Sequence, residues 1–267
     1  MTLLFDFSAV DSGLCRSGYE SAAKRFNPAD LEVTLSGRSF MITGANSGIG
    51  KATAQEIAKR GGTVHMVCRN KGRADAAKDE IVENSKNENV HVHIVDMSNM
   101  KQVWEFAQNF AQNNSLNVLI TVSSGGMLTH KLNVDDLQFE KGTFDGTMAY
   151  AQNKRQQVIL TERWAAQHKE IHFSSMHPGW ADTPAVQTSM PSFHAKMQSR
   201  LRTEAMGADT VVWLAVSAAA SKQPSGLFFQ DRTAVATHLP LAASRSTPQD
   251  EEKLMNILEE LAQKFKP

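Results

Sequence analysis

The chain has 267 residues, with 28 lysines and arginines against 28 aspartates and glutamates, and two cysteines. The length suits one large α/β domain with a sizeable core. Zero formal charge supplies no field to steer nucleic acid or an anionic membrane surface, so no nucleic-acid partner is expected. Cys15 and Cys68 lack metal or redox spacing, which argues against a disulfide framework and for a reducing compartment, with the cytoplasm as default location. The longest apolar run, Val211 to Ala220, is about half of a membrane span. The start (Leu3, Leu4, Phe5) is interrupted by Asp6 and has no basic residue before it, a poor secretory signal.

Residues 1 to 36 read as an N-terminal extension of mixed polarity. Strands and helices then alternate, the mark of a parallel sheet covered on both faces. Ser39 to Thr43 is a short apolar strand ending in a glycine-rich turn. Gly50 to Arg60 has helical spacing and stops at Gly61-Gly62. Thr63 to Cys68 reads as the second strand, and Arg73 to Asn84 as a helix with Ala77, Ile81 and Val82 inward. Val90 to Val95 is an alternating third strand with His91 and His93 on one side. Ser98 is placed to cap the next helix, whose inner face is Val103, Phe106, Ala107 and Phe110.

Leu116 to Ser123 reads as two strands welded end to end. A glycine-containing loop follows over 125–147, then a helix from Tyr150 to about His168. Ile171 to Met176 is a strand closed by His177-Pro178-Gly179, Thr210 to Ala220 a buried helix, and Leu227 to Gln230 a last strand. Thr247-Pro248 opens a final helix with proline at its first position. Its inner stripe is Leu254, Ile257, Leu258, Leu261 and Phe265. His91 and His93 could ligate a metal, but no third ligand has suitable spacing, so they read as solvated strand positions and no metal site is expected. Phe228, Phe229, His194 and Met190 are candidates to line an apolar substrate pocket.

Thr43-Gly44-Ala45-Asn46-Ser47-Gly48-Ile49-Gly50 lies between a strand and a helix. Its glycines permit a tight turn and close approach to a pyrophosphate, and the following helix N-terminus offers free N–H groups and a positive dipole end. Arg69 stands where an acidic residue would favour NAD, with Lys71 nearby. It is either a ligand for the 2′-phosphate of NADP or a solvated surface arginine. Asp96 ends the third strand, as an acceptor for the adenine amino group or as an ordinary turn aspartate.

Tyr150 and Lys154 are four apart, hence on one helix face. A free tyrosine titrates near 10, and a neighbouring ammonium favours its phenolate. Such a pair could move a proton to or from an alcohol or ketone oxygen that Ser124 also holds. Alone, the pair could equally be a surface pair.

The glycine motif, Val122-Ser123-Ser124, Tyr150-x-x-x-Lys154 and His177-Pro178-Gly179-Trp180-Ala181-Asp182-Thr183 occur in one order. Together they resemble the short-chain dehydrogenase/reductase family over about residues 37 to 240, most of all its retinol-dehydrogenase-like branch. The resemblance implies a single Rossmann-type domain over 37–267, a doubly wound parallel sheet with helices on both faces. It implies an oxidoreductase transferring a hydride between NADP (or NAD) and a small apolar alcohol or carbonyl. Ser124 would position the substrate and Tyr150 would donate or accept the proton. Lys154 would bind the nicotinamide ribose and favour the phenolate. Gly44, Ser47, Gly48, Ile49, Gly50, Arg69 and Asp96 would contact the cofactor, with Trp180 and Thr183 against its carboxamide end.

The chain departs from the family where Val118-Leu119-Ile120 runs directly into Thr121-Val122-Ser123-Ser124. The Asn-Asn-Ala-Gly segment of relatives is absent, and one βα unit, about forty residues, is missing between Ile120 and Thr121. A splice form is the simplest origin. In many relatives the missing helix builds the dimer interface, so oligomerisation through that face is not expected. The alternative to an active enzyme is therefore a catalytically impaired or inactive splice form.

Overall fold

In this computed structural model, residues 13–239 and 243–266 are described. In chain order the elements are α1 (Arg16–Ala23), a 3-10 turn (Pro28–Leu31), β1 (Ser39–Thr43), α2 (Gly48–Lys59), β2 (Thr63–Cys68), α3 (Lys71–Ser85), β3 (Val90–Ile94) and α4 (Met100–Ala111). There follow β4 (Val118–Val122), a 3-10 turn (Gly125–Thr129), α5 (Gly146–Gln167), β5 (His172–His177), α6 (Pro184–Ser189), α7 (Pro191–Met197) and α8 (Glu204–Val216). The chain ends with α9 (Ala218–Ser221), β6 (Phe228–Gln230), β7 (Thr233–Val235) and α10 (Pro248–Gln263). It divides into two compact units, one of residues up to 98 with 178–220, the other of residues 99–177 with 221 onward.

The first unit holds the sheet β1-β2-β3, all parallel, with Ser39 opposite Thr63 and Val64 opposite Val90. Parallel neighbours need crossover connections, which α2 and α3 supply. Their buried Ala54, Ile57, Ala77 and Ile81 cover the face carrying Val64 and Met66. The alternate face is more open. Met41 is 48% exposed there, beside His65 and His91. Asn70 caps α3 by accepting from the Arg73 amide at 3.0 Å. The segment before β1 is bound into this unit: Trp213 Nε1 donates to Asp30 Oδ2 at 2.7 Å and Arg60 Nε to the Leu31 carbonyl at 2.8 Å.

The second unit holds the sheet β4-β5-β6-β7. β4, the strand that the sequence reads as two segments end to end, pairs in parallel with β5 over its whole length, from Val118 opposite His172 to Val122 opposite Met176. β6 is not the last strand, as the sequence suggests. It turns back into antiparallel β7 through Asp231 and Arg232, with φ of 49° and 57°. Two consecutive positive φ values define the two-residue hairpin turn that matches strand twist, here without the usual glycine or asparagine signal. β1 and β4 are edge strands of their sheets.

Four further expectations need correction. Asn99, not Ser98, caps α4 by accepting from the Gln102 amide, while Ser98 bonds Asp96. The expected inner face of α4 is not sealed: Val103, Phe106 and Phe110 are half-buried, and no residue of this helix is buried. Helix α5 is longer than the sequence suggests. It starts at Gly146 because the Asp145 carboxylate accepts from the Thr147 and Met148 amides. Its Val158 packs with Met127 and Phe228, and its Ile159 with Leu132, Val134 and Leu254 of α10. Phe265 lies past the end of α10 and is 43% exposed, so the expected stripe is anchored by buried Leu254, with Leu258 packed against its cluster. Among the described residues, no helix is long and apolar enough to cross a membrane.

Leu254 is fully buried. Leu254→Ala is expected to destabilise the second unit by about 2–5 kcal/mol through lost transfer energy and a cavity. Denaturant unfolding followed by far-UV circular dichroism measures it.

Candidate active site: two half-sites

In the first unit the glycine loop leaves β1 and enters α2. Gly44 and Gly48 take φ of 67° and 58°, which L side chains rarely adopt. A Cβ on Gly50 would sit 2.5 Å from the Gly44 carbonyl oxygen, so the loop closes on its helix only with glycine there. Ser47 precedes α2 in extended conformation without a side-chain cap bond, and no acidic residue occupies the first turn. The first-turn N–H groups and the dipole end therefore have no carboxylate of their own helix. The loop from Gly44 to Gly50 thus presents close-packed backbone and uncapped first-turn N–H groups, a geometry that fits a pyrophosphate.

The loop is supported from below. The Cys68 thiol is buried beneath it and engages the backbones of Ala45 and Asn46. Burial pushes the thiol's pKa up, so it is a packing group rather than a nucleophile. Ile49 packs its side chain toward Gly207 of α8. Thr183 caps α6 by accepting from the Val186 amide at 3.3 Å, and its methyl group lies against Gly48. Trp180 meets Phe193 edge to face at 5.3 Å, in a cluster with Cys15, Met197 and Leu201.

Arg69 follows β2 and is exposed. Lys71 is turned away into an ion pair with Asp75 at 2.6 Å, which leaves Arg69 as the cation of this strand end. Asp96 Oδ1 accepts from the Ser98 amide at 3.0 Å and hydroxyl at 2.7 Å. These bonds, with the Arg69 charge, hold its carboxyl below the usual range.

In the second unit the turn after β4 meets α5. Ser123 Oγ donates to the Lys154 carbonyl at 2.8 Å, and Lys154 Nζ donates to the Val122 carbonyl at 3.0 Å. Lys154 also donates to Gln157 Oε1 at 3.2 Å, and its ammonium lies 5.6 Å from the centre of the Tyr150 ring. Burial pulls the Lys154 pKa down. Tyr150 is 52% exposed, one turn earlier on the same helix face. Ser124 Oγ accepts from the Gly126 amide at 3.2 Å, and a Cβ at Gly126 would touch both Ser124 Oγ and the Tyr150 ring. Ser124, Tyr150 and Lys154 are thus gathered within one unit.

Sequence reasoning assigned no role to His177. Its buried ring supports the Ser124 turn, since a Cβ at Gly125 would lie 3.0 Å from Nε2. Its place at the end of β5, level with the end of β4, was the available signal. The suggested pocket residues fall in both units, and Met190 is 48% exposed. Phe228 and Phe229 are both 1% exposed core residues, and His194 Nε2 lies 3.0 Å from Asp182 Oδ1. His91 and His93 have a third companion in His65. Its Nδ1 is 2.9 Å from His93 Nε2, and its ring stacks on His91 at 5.2 Å. Among the described residues, no group of three His, Cys, Asp or Glu side chains is arranged to hold a metal ion.

A parallel sheet, a second sheet parallel in all but β7, and a glycine loop between the first strand and its helix define a Rossmann-type α/β protein. The short chain dehydrogenase family model matches residues 38–150. Dehydrogenase/reductase SDR family member 12 of Bos taurus is 56% identical over 299 residues, covering 94% of this chain and 94% of that protein. Retinol dehydrogenase 12 of Homo sapiens is 33% identical over 143 residues, covering 53% of this chain and 44% of that protein. The crystal structure of L-sorbose reductase from Gluconobacter frateurii, complexed with NADPH and L-sorbose, shares the fold. Its TM-score is 0.57 at 16% identity, over 75% of this chain and 96% of that one. The chain belongs to the short-chain dehydrogenase/reductase family of oxidoreductases.

The histidine cluster generates a pH prediction. Burial, then His93 and His91, push the His65 pKa down from 6.5 to about 4. The unfolded chain binds that proton near 6.5, so stability is full at neutral pH and falls as pH drops toward about 4. Thermal melts at pH 7 and pH 5 should show a smaller Tm gap for His65→Asn than for wild type.

Proposed function

We propose that this chain is an NADP-preferring oxidoreductase acting on a small apolar alcohol or carbonyl, with Ser124, Tyr150 and Lys154 as its proton-transfer group. The observation that carries this reading is the convergence of Ser124 Oγ and the Tyr150 ring on Gly126, with the Lys154 ammonium 5.6 Å from that ring. The Ser124 hydroxyl would hold the substrate oxygen. The Tyr150 phenol would give that oxygen a proton in reduction and take one back in oxidation. Lys154, with two of its three N–H donors already engaged, would keep a positive charge beside the phenol and offer the third to a ribose hydroxyl. When bound, the nicotinamide supplies or accepts the two electrons and the hydrogen of the carbonyl–alcohol pair.

NADP preference rests on Arg69, an exposed guanidinium where NAD-binding relatives of this fold carry an acid. L-sorbose reductase holds NADPH, which is consistent with the reading. The apolar substrate class rests on the likeness to retinol dehydrogenase 12.

A specific observation favours the second reading, a form that binds cofactor but turns over poorly. The alignment to the bovine relative spans 299 residues, more than the 267 of this chain, so that protein carries residues with no counterpart here. The weld at Ile120–Thr121 is the place we assign to them. β1 and β4 are both edge strands, as expected if the strand and helix once beside them were lost.

Thermal melts with NADPH and NADH test the cofactor. A larger Tm rise with NADPH is expected, because a ligand held only by the folded protein stabilises it. Arg69→Ala should cut that preference about tenfold, roughly 1.4 kcal/mol. Tyr150→Phe should lower any turnover of a lipid-like carbonyl by at least about 10²-fold. A clear NADPH shift with no turnover in wild type would decide for the impaired form.

A further inference from the structure

The first residues described, Gly13 to Tyr19, lie in the stretch that the sequence presents as an extension outside the domain. Arg202 contradicts that separation. It is 1% exposed, and its guanidinium donates to the carbonyls of Gly13 at 2.8 Å, Cys15 at 3.2 Å and Pro178 at 3.3 Å. The Tyr19 ring lies 5.5 Å from it. A guanidinium withdrawn from water is tolerated only when its donors are satisfied, and here the N-terminal segment supplies two of these three carbonyls. The segment is tied in by its backbone as well. The Trp180 amide donates to the Leu14 carbonyl at 2.8 Å, and the Arg16 amide to the Arg200 carbonyl at 2.9 Å.

Arg202 in turn holds the turn from Pro178 to Thr183. Its amide donates to the Trp180 carbonyl at 2.7 Å, and its carbonyl accepts from the Asp182 amide at 2.8 Å. Its guanidinium lies so close over Gly179 that any Cβ there would fall on it. The end of this turn, Thr183, places its methyl against Gly48 of the glycine loop. A continuous path therefore runs from the N-terminal segment through Arg202 and the turn to the loop.

We infer that residues 13 to 19 are a strap belonging to the cofactor site, and that Arg202 is a positioning residue through which the strap fixes the Trp180–Thr183 turn against the glycine loop. This rests on the reading above that the loop holds a nicotinamide dinucleotide. A planar fork can reach three carbonyls at once. A lysine ammonium in its place is a point charge on a flexible stem and cannot span them.

The test uses the full chain and Arg202→Lys. Amide hydrogen exchange at Trp180 and Asp182 should speed up at least about tenfold, while the β2 amides Val64 to Cys68 remain as slow as in wild type. Titration with two probes, NADPH and 2′,5′-ADP, reads the consequence. NADPH should bind about tenfold more weakly, and 2′,5′-ADP, which lacks the nicotinamide half, less than about twofold. Tyr19→Leu, which keeps the guanidinium, should show the same pattern at about threefold and serves if the lysine variant does not fold. Equal weakening of both probes, or unchanged exchange at Trp180 and Asp182 in both variants, would overturn the strap. Wild-type protein that binds neither probe would instead overturn the dinucleotide reading on which it rests.

Discussion

The second unit is organised around a reciprocal pair of hydrogen bonds. Ser123 at the end of β4 donates to the Lys154 carbonyl, and the Lys154 ammonium donates back to the Val122 carbonyl. Both side chains would carry a large penalty if buried alone. Paired, they bind one turn of α5 to one strand end and fix the rotation of the helix about its axis. With that rotation set, Tyr150 lies one turn away on the same face, and the Ser124–Gly126 turn comes to rest beside it. The Asp145 cap sets where the helix starts and so the position of Tyr150 along it.

In the first unit the equivalent constraint is steric. Backbone approaches backbone between Gly44 and Gly50, and each support beneath or beside the loop is small: the Cys68 thiol, the Thr183 methyl, and the space left by Gly207. Small groups permit the close approach that a pyrophosphate needs, and the absence of acidic residues in the first turn of α2 keeps its dipole end available. On the reading proposed above, phosphate affinity would be a property of backbone geometry and would depend on packing around the loop more than on any one side chain.

Much of this was legible in the sequence where one residue type has one physical use. Glycines at 44, 48 and 50 specify the loop, β-branched and apolar residues specify β2 at its observed limits, and Thr247-Pro248 specifies the start of α10. The four-residue spacing placed Tyr150 and Lys154 on one face. What was hidden depends on distant partners. Ser98 looks like a cap, but Asp96 captures its hydroxyl and Asn99 takes the role. The β6–β7 hairpin turns through Asp231 and Arg232 without glycine. Phe228 and Phe229 look like pocket lining from their place at the last strand, yet Phe228 packs with Met127 and Val158 of α5 and Phe229 is equally buried. His65 joins His91 and His93 only through parallel register, which no local pattern reveals.

Strand β4 shows how much a strand can satisfy by local rules alone. Val118 to Val122 is apolar and β-branched, of ordinary strand length, and parallel to β5 in continuous register, so every criterion a strand must meet by itself is met. Its serine end reaches α5, and Ser124, Tyr150 and Lys154 come together there. In each sheet one edge stays open: β4 has a partner on one side, β1 likewise, and α4 has a half-exposed apolar face. A parallel strand is normally flanked on both edges and covered on both faces, and its stability comes from that enclosure rather than from its own propensity. On the reading proposed above, the shortening therefore spares each half-site and weakens what surrounds them. A chain of this kind would lose cooperativity of folding before it lost the chemistry of its residues.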